Sequence, residues 1–491
     1  MKRPDGRTAG RAEAMVALCL IVASSVGPSG RQAASWRPED RVLISDFSQV
    51  DAVAASPWLV FAATRHGLVI YDRVARTWKL PVTTLDGYPT SRVRSAVADQ
   101  AGNAVWLGIG GVDGYVRYDV DARMWTRGAA PPAGQMLTVE AALARAPAAD
   151  AIRALILTDA RLRSYQFTAA ASTPDRPELY FGTNGMGLLR VDPQTGEWEA
   201  LPYGLLAPGV GAIASTQDGV WTATSVREGE RRGLTWVASD LSRSRSSEGG
   251  GAALGFTFYQ ARRMITTRGA LWVATEQGVF RLDPTSLRGR LFDVEVPTSL
   301  APAPDGVWVG TTSGLFVITD DGRVVPVGPR NLVAMCVLAV GDTLWVGTLT
   351  GVRRLLPGAG APTEPTELAD RPSLRALVLA LTRVRDTIVM VTERELVWRT
   401  TTSGAVTWSR LSLPPALGFP IALAPDPDGG VWVGGTQGLA LVELGRPRVR
   451  TLTVPVSVPA GVRDLLTDDT YLWVATDSGL VRFDRRAALS R

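Results

Sequence analysis

Histidine, lysine and cysteine are nearly missing from this chain. Of its 491 residues one is histidine and two are cysteine, and Lys2 and Lys79 are the only lysines among 52 basic residues. A single histidine, His66, excludes zinc sites that need several imidazoles. Cys19 falls in a segment read below as an export signal, which leaves Cys336 alone and no internal disulfide. Cys336 sits in the apolar run Val333–Leu338 and reads as a small buried hydrophobe. Long hydrophobic runs are missing too. The stretch from Ala14 to Val26 is too short to span a bilayer. Charge of one sign is also lacking. Residues 1–34 hold Lys2, Arg3, Arg7, Arg11 and Arg31 against Asp5 and Glu13, so +3 of the net +5 lies there and +2 remains for the rest. That is no electrostatic footprint for nucleic acid.

What is present is repetition. Leu271-Trp272-Val273-Ala274-Thr275-Glu276-Gln277-Gly278 returns as Val307-Trp308-Val309-Gly310-Thr311-Thr312-Ser313-Gly314, at Leu344–Gly351 and at Leu472–Gly479. Taking the Trp or its equivalent as reference gives ten units, at Trp58, Trp106, Phe181, Trp221, Trp272, Trp308, Trp345, Val389, Trp432 and Trp473. Their spacing runs from 36 to 51 residues, except for one gap of 75 after Trp106. An eleventh candidate, Ala154–Thr158, lies in that gap. Self-similarity with this period predicts four-stranded propeller blades. The fold class is therefore all-β, a β-propeller of ten or eleven repeats, as one large ring or two tandem rings.

Each unit reads as strands a to d. Strand a is apolar, as in Val93–Ala98. An Asp/Gly/Asn turn such as Asp305-Gly306 follows, because these residues suit tight hairpins. Strand b carries the Trp and packs between blades. Strand c often ends on Asp (Asp72, Asp119, Asp192, Asp283, Asp484), and strand d has its own aromatic at Trp78, Trp125, Trp198 and Trp408. After Asp484 only seven residues remain, too few for a strand d with its turn. The spare run Arg41–Phe47 before the first unit supplies the closing strand and removes a free sheet edge.

Residues 1–34 have a basic start, an apolar stretch and the small-residue region Gln32-Ala33-Ala34, the layout of a secretory signal peptide. A retained anchor is the alternative. Leu18 before Cys19 is wrong for a lipid-attachment site. The propeller then occupies 35–491, long enough for a core without disulfides. Three stretches break the rhythm. Thr138–Arg145 predicts a capped helical turn or two. Residues 225–254, rich in Arg, Ser and Gly, and 357–373, with four prolines, read as loops.

The run Asp86-Gly87-Tyr88-Pro89-Thr90-Ser91-Arg92-Val93, leading to Val105-Trp106-Leu107-Gly108, resembles the loop and Trp strand of the two-component regulator propeller repeat. Phe181–Trp198 is a second match, and the resemblance covers roughly residues 41–484. It implies an extracytoplasmic sensor propeller that binds ligands such as glycans. The chain carries no spanning segment, kinase or DNA-binding segment, so a complete signalling receptor is not expected.

Motifs for chemistry are few. Gly108–Gly114 has Asp113 where a dinucleotide loop needs its third glycine, and no helix follows. Asp426-Pro427-Asp428-Gly429-Gly430 is too short for an EF-hand and reads as an a–b turn. No cofactor or metal is expected. The b–c turns and d–a loops of a propeller share one face, and their side chains vary against a constant framework, which suits recognition. The candidates are Arg65, His66, Tyr88, Arg92, Asn184, Glu276, Gln277, Glu393, Arg394, Gln437 and Asp477. The expected function is a periplasmic or extracellular, non-enzymatic propeller that binds an envelope protein or an extracellular glycan on this face. The alternative is a propeller-type lyase or hydrolase with acidic residues at the channel mouth, which needs converging carboxylates, or a carboxylate with Arg or Tyr.

Overall fold

A computed structural model describes residues 36–490 apart from 112–113, 129, 133–135, 156, 160, 174, 176–177, 226–229, 251–254, 369–370, 372–373 and 447. The expected signal peptide, 1–34, lies outside the described residues. The chain is all-β and forms ten antiparallel sheets, nine of four strands and one of three, as propeller blades do. They are numbered here in the order of their inner strands: Val50–Ala55, Val93–Ala98, Phe167–Ser172, Val210–Ser215, Ala261–Thr267, Pro297–Ala303, Ala334–Val340, Ala380–Val384, Pro420–Pro425 and Val462–Thr467.

The repeated residues explain the repeated shape. In the Thr-x-x-Gly turn the threonine hydroxyl donates to the glycine carbonyl, at 2.7 Å for Thr64–Gly67, 3.1 Å for Thr275–Gly278, 2.9 Å for Thr311–Gly314 and 2.7 Å for Thr476–Gly479. It also accepts from a turn N–H, as from Ser478 at 3.2 Å, so one side chain satisfies both kinds of backbone group that a tight turn leaves open. The Asp that ends strand c serves the next turn. Asp72 accepts the N–H groups of Val74 and Ala75, Asp119 those of Asp121 and Ala122, and Asp283 those of Thr285 and Ser286. Nine of the ten inner strands carry a bulge at their second residue, which bends and twists each inner strand alike. The exception, Ala380–Val384, belongs to the unit whose Trp position is Val389.

The register corrects two assignments. Trp272 stands opposite Ile265. The same place is held in sheet 1 by Phe61, opposite Ala54, and in sheet 3 by Tyr180, opposite Ala171. Trp58 lies before its strand and is 55% exposed. Two strand b aromatics show the packing from sheet to sheet. Trp221 meets Met264 and Leu271 of sheet 5, and Trp272 meets Leu300 and Val307 of sheet 6. Removing such a ring costs about 3–5 kcal/mol.

The eleventh candidate is not a blade. Residues 154–158 contain no strand among the described residues and join two short helices, α1 (Val139–Ala144) and α2 (Ala149–Arg153), to sheet 3. Helix α1 starts where expected, with Thr138 Oγ1 accepting from the Ala141 N–H at 3.1 Å. The stretch 225–254 is more than a loop, because it holds the strands Gly233–Ala238 and Ser244–Glu248. The 357–373 stretch bridges Arg354 through Thr363 and buries Leu368, partly replacing the missing fourth strand of sheet 7.

The inner strands fall into two series. Sheets 4 to 10 follow in chain order, and the inner strand of sheet 10 lies beside that of sheet 4. There the fully buried Asp464 accepts from the Ile213 N–H at 3.1 Å and pairs with Arg263 of sheet 5. Sheets 1 to 3 stand in the spatial order 2-1-3. The 75-residue gap is the crossing from sheet 2 to the far side of sheet 1, and α1 and α2 ride on it, packing Leu143 and Ile152 against Phe181 and Leu189 of sheet 3. Arg73, 4% exposed in its side chain, ties sheet 1 to sheet 3 through Asp175 at 3.1 Å and Glu178 at 3.0 Å.

The chain ends meet as expected. Arg41–Ile44 pairs with Gly479–Asp484 as the fourth strand of sheet 10, Leu43 opposite Val481. The residues after Asp484 turn away as helix α3 (Arg485–Leu489), with Asp484 accepting the Ala487 N–H at 2.8 Å. Gly479 meets this closing strand so tightly that a Cβ would lie 2.4 Å from the Ile44 carbonyl. Among the described residues no helix is long and apolar enough to cross a membrane.

Candidate functional site

Antiparallel pairing puts each b–c turn beside the entrance to its own inner strand. The Arg65 N–H donates to Gln49 O at 3.2 Å and the Thr436 N–H to Phe419 O at 3.0 Å. Asn184 Oδ1 accepts the Gln166 N–H at 2.8 Å, and the Glu276 carboxylate accepts the Gln260 N–H at 2.9 Å and that of Tyr259. The variable turns thus lie on the face that receives the loops between sheets.

Three candidates, Arg65, His66 and Asp477, meet in one polar cleft of about 530 Å3. Sheet 1 supplies Arg65 and His66, sheet 10 supplies Asp477 and Arg463, and the turn of sheet 4 supplies Glu230. Its floor is the link from the closing strand to sheet 1, where Asp46 lies. His66 Nδ1 is 2.8 Å from Asp46 O. A carbonyl only accepts, so Nδ1 carries a proton and Nε2 is left facing away from this contact. Arg463 and Asp477 form a bidentate pair with both contacts at 2.8 Å, a planar fork with fixed orientation. Asp46 is held by Arg231 at 3.3 Å. The exposed Arg65 guanidinium makes no ion pair among the described residues. Among the described residues no Phe, Tyr or Trp lines the cleft.

The remaining candidates lie apart. Glu393 and Arg394 border a groove of about 690 Å3 with Leu413, Pro414 and Pro415. Tyr88 is 4% exposed and donates its hydroxyl to Thr64 O at 2.7 Å, a contact that ties the d–a loop to the sheet 1 turn. Arg92 Nε reaches Asp51 at 2.8 Å from an exposed position. Gln277 donates its N–H to Thr275 Oγ1 at 3.2 Å within its own turn. Asn184, Glu276 and Gln437 occupy separate turns.

A cluster at the meeting of sheets 3 and 4 has no counterpart in the sequence reading. Arg163 bridges Asp159 and Glu248, and the Tyr165 hydroxyl donates to Asp159 at 2.7 Å. These residues come from the long gap and from the Arg/Ser-rich stretch, so no repeat position marks them. Burial raises the Asp159 carboxyl, but hydrogen bonds from Tyr165 and Arg163 outweigh it and hold the acid well below its ordinary range. Burial and the bond to Asp159 push Tyr165 up. Both shifts lead away from proton transfer near neutrality. Elsewhere, burial pushes the Cys336 thiol up to about 12, and Asp426 accepts from Trp432 Nε1 at 2.9 Å and Arg485 at 3.0 Å. Among the described residues no three His, Cys, Asp or Glu side chains gather as a metal site.

No protein-family model matches the chain, and no curated protein matches it. Solved structures do. PorZ, a surface component of the type-IX secretion system of Porphyromonas gingivalis, superposes with a TM-score of 0.55 at 11% identity, over 91% of this chain and 87% of PorZ. The extracellular domain of the one-component system BT4673 from B. thetaiotaomicron gives 0.45 at 12%, over 88% and 70%. Virginiamycin B lyase from Staphylococcus aureus gives 0.44 at 15%, over 56% and 94%. At these identities the likeness is one of fold alone.

Proposed function

We propose that this is an exported, non-enzymatic propeller that binds a partner protein or glycan on its turn-rich face, centred on the cleft of Arg65, His66 and Asp477. One observation carries the reading: turns from three sheets far apart in the chain converge on a polar cleft in which Arg65 makes no ion pair among the described residues. Such a cleft fixes a ligand by hydrogen bonds and charge. The signal-like residues 1–34 and the fold of PorZ, named as a bacterial surface component, support an envelope or extracellular setting.

In the same reading sheets 4 to 10 make one seven-bladed ring, shut by the N-terminal strand. Sheets 1 to 3 are inserted between that closing strand and sheet 4. Asp159, Arg163, Tyr165 and Glu248 are the one convergence that favours the lyase or hydrolase alternative. Their charges are spent on each other, which suits a fastening between sheets better than catalysis.

The test is to purify the protein from its own envelope fraction and identify co-purifying proteins and glycans by mass spectrometry, beside Arg65→Ala and the off-cleft control Arg92→Ala. A stoichiometric protein or glycan that is lost with Arg65→Ala and kept with Arg92→Ala supports the reading. Equal recovery by both variants, or substrate turnover abolished by Asp159→Asn, overturns it.

A further inference from the structure

Away from the turn-face cleft, a cavity of about 460 Å3 opens on the outer flank of sheets 1 and 2. Ile70, Trp78 and Leu80 of sheet 1 and Tyr118 of sheet 2 form its apolar walls, and Asp86, in the loop between the sheets, faces them. Tyr118 is only 5% exposed, yet its hydroxyl takes no hydrogen bond from any described residue. The hydroxyl opens on the cavity and can accept from what the cavity holds. Asp86 uses one oxygen, Oδ2, to accept the Thr83 N–H and hydroxyl, both at 3.0 Å. Its Oδ1 has no hydrogen bond among the described residues.

Two cations, Lys79 and Arg123, also line the cavity, and each has a carboxylate partner outside its lining. Lys79 pairs with Asp72 at 3.4 Å and Arg123 with Glu39 at 2.5 Å. Arg41 donates to the carbonyls of Val456 at 2.7 Å and Leu85 at 2.8 Å. Asp121 and Asp240 add two more carboxylates to the rim. Burial raises the Asp86 carboxyl, and the two Thr83 hydrogen bonds with the fields of Arg41 and Arg123 only partly offset it, so a cation placed against it would lift an existing penalty.

We propose that this cavity binds an organic ammonium ion, with its head group between Asp86 Oδ1 and the Tyr118 hydroxyl and its alkyl stem along Trp78 and Leu80. The chemistry needs an anionic acceptor, a second acceptor oxygen and aromatic faces that attract a cation. This site combines the three. It is independent of the turn-face reading.

The probe is butylamine, with butanol and butyrate as controls of equal length. Binding is followed by isothermal titration and by ligand-observed NMR on the full chain. Nα-acetyl-lysine methylamide tests whether the ammonium is delivered on a lysine side chain or as a free amine. The expected result is saturable binding of an amine and none of either control. Tyr118→Phe keeps the ring against Trp125, 4.8 Å away, and deletes only the unpartnered hydroxyl, so it folds as the parent does. It should weaken the amine several-fold, and Asp86→Asn about tenfold or more, the worth of one charge-assisted hydrogen bond. No saturation at millimolar amine, equal binding of butanol, or parent-like affinity in a folded Tyr118→Phe would overturn the site.

Discussion

Ile44→Ala tests whether the N-terminal strand locks the last sheet. Ile44 is 1% exposed and shares one core cluster with Trp473, Ala475 and Leu480 of sheet 10 and with Val210 and Ile213 of sheet 4. Its backbone stands opposite Leu480. The substitution deletes three carbons, about 0.8 kcal/mol each, and leaves a cavity, so the loss is about 3 kcal/mol. The closing strand has only four paired residues, and the rest of its sheet is continuous chain, so the loss should fall on local opening rather than on the whole molecule. About 3 kcal/mol is roughly a hundredfold in an opening equilibrium. Native-state hydrogen exchange reads it directly. Amides in Tyr471–Thr476 and Gly479–Asp484 should exchange about a hundredfold faster while those of Val93–Ala98 keep the parent rate. Parent-like exchange in sheet 10, or equal acceleration in sheet 2, would show that the strand is an ornament of the sheet and not its fastening.

Three further outcomes follow from the same contacts. Turn hydrogen bonds hold Asp119 and Asp283 below the ordinary carboxylate range, and they prevail over burial at Asp72 and Asp240. A depressed folded pKa gives stability that is present above the unfolded value near 4 and lost as pH falls below it, so the melting temperature should be flat from pH 7 to 5 and drop below about pH 4; a flat profile to pH 3 would refute this role. Cys336, buried and with its thiol pushed up to about 12, should resist a thiol reagent in the native state and react at once in denaturant. Arg73→Ala takes from Glu178 its buried cation and leaves it the Tyr180 hydroxyl at 2.8 Å; a fully enclosed pair would cost about 3–5 kcal/mol, and since the Glu178 side chain is 24% exposed about 2 kcal/mol is expected, read as faster exchange confined to sheets 1 and 3.

The blade was legible in the sequence because its determinants are local. Thr, Gly and Asp at turn positions and an aromatic on strand b set each hairpin without help from distant chain. The same locality explains the errors. Trp58 carries the right side chain three residues early, and only pairing with Ala54 reveals Phe61 as its counterpart. Ser244–Glu248 was read as loop because an outer strand with both faces partly wet needs no apolar pattern. The spatial order 2-1-3 depends on where a 75-residue crossing lands, which no periodicity encodes. For the site, topology put the variable turns on one face, but which turns converge depends on that order. Asp159, Arg163 and Glu248 stayed hidden because each is unremarkable in its own stretch.

The position of the cleft follows from the insertion. Its floor at Asp46 is the chain between the closing strand and sheet 1, and its walls come from sheets 1, 4 and 10. Each wall rests on a different fastening. Sheet 10 depends on Arg41–Ile44, sheet 4 on the Asp464 contact to Ile213 and on the Arg231 pair with Asp46, and sheet 1 on His66 against the Asp46 carbonyl. A ligand in the cleft touches all three and binds only when all are in place, so it must stabilise each by the same linkage, about 2.7 kcal/mol at a hundredfold excess over Kd. Occupancy should therefore slow exchange in Gly479–Asp484 although the ligand need not touch that strand. Ile44→Ala should in turn weaken the ligand, because binding then has to restore the opened sheet. A ligand that bound equally well to Ile44→Ala would sit on one sheet alone, and the convergence of the three turns would have no part in recognition.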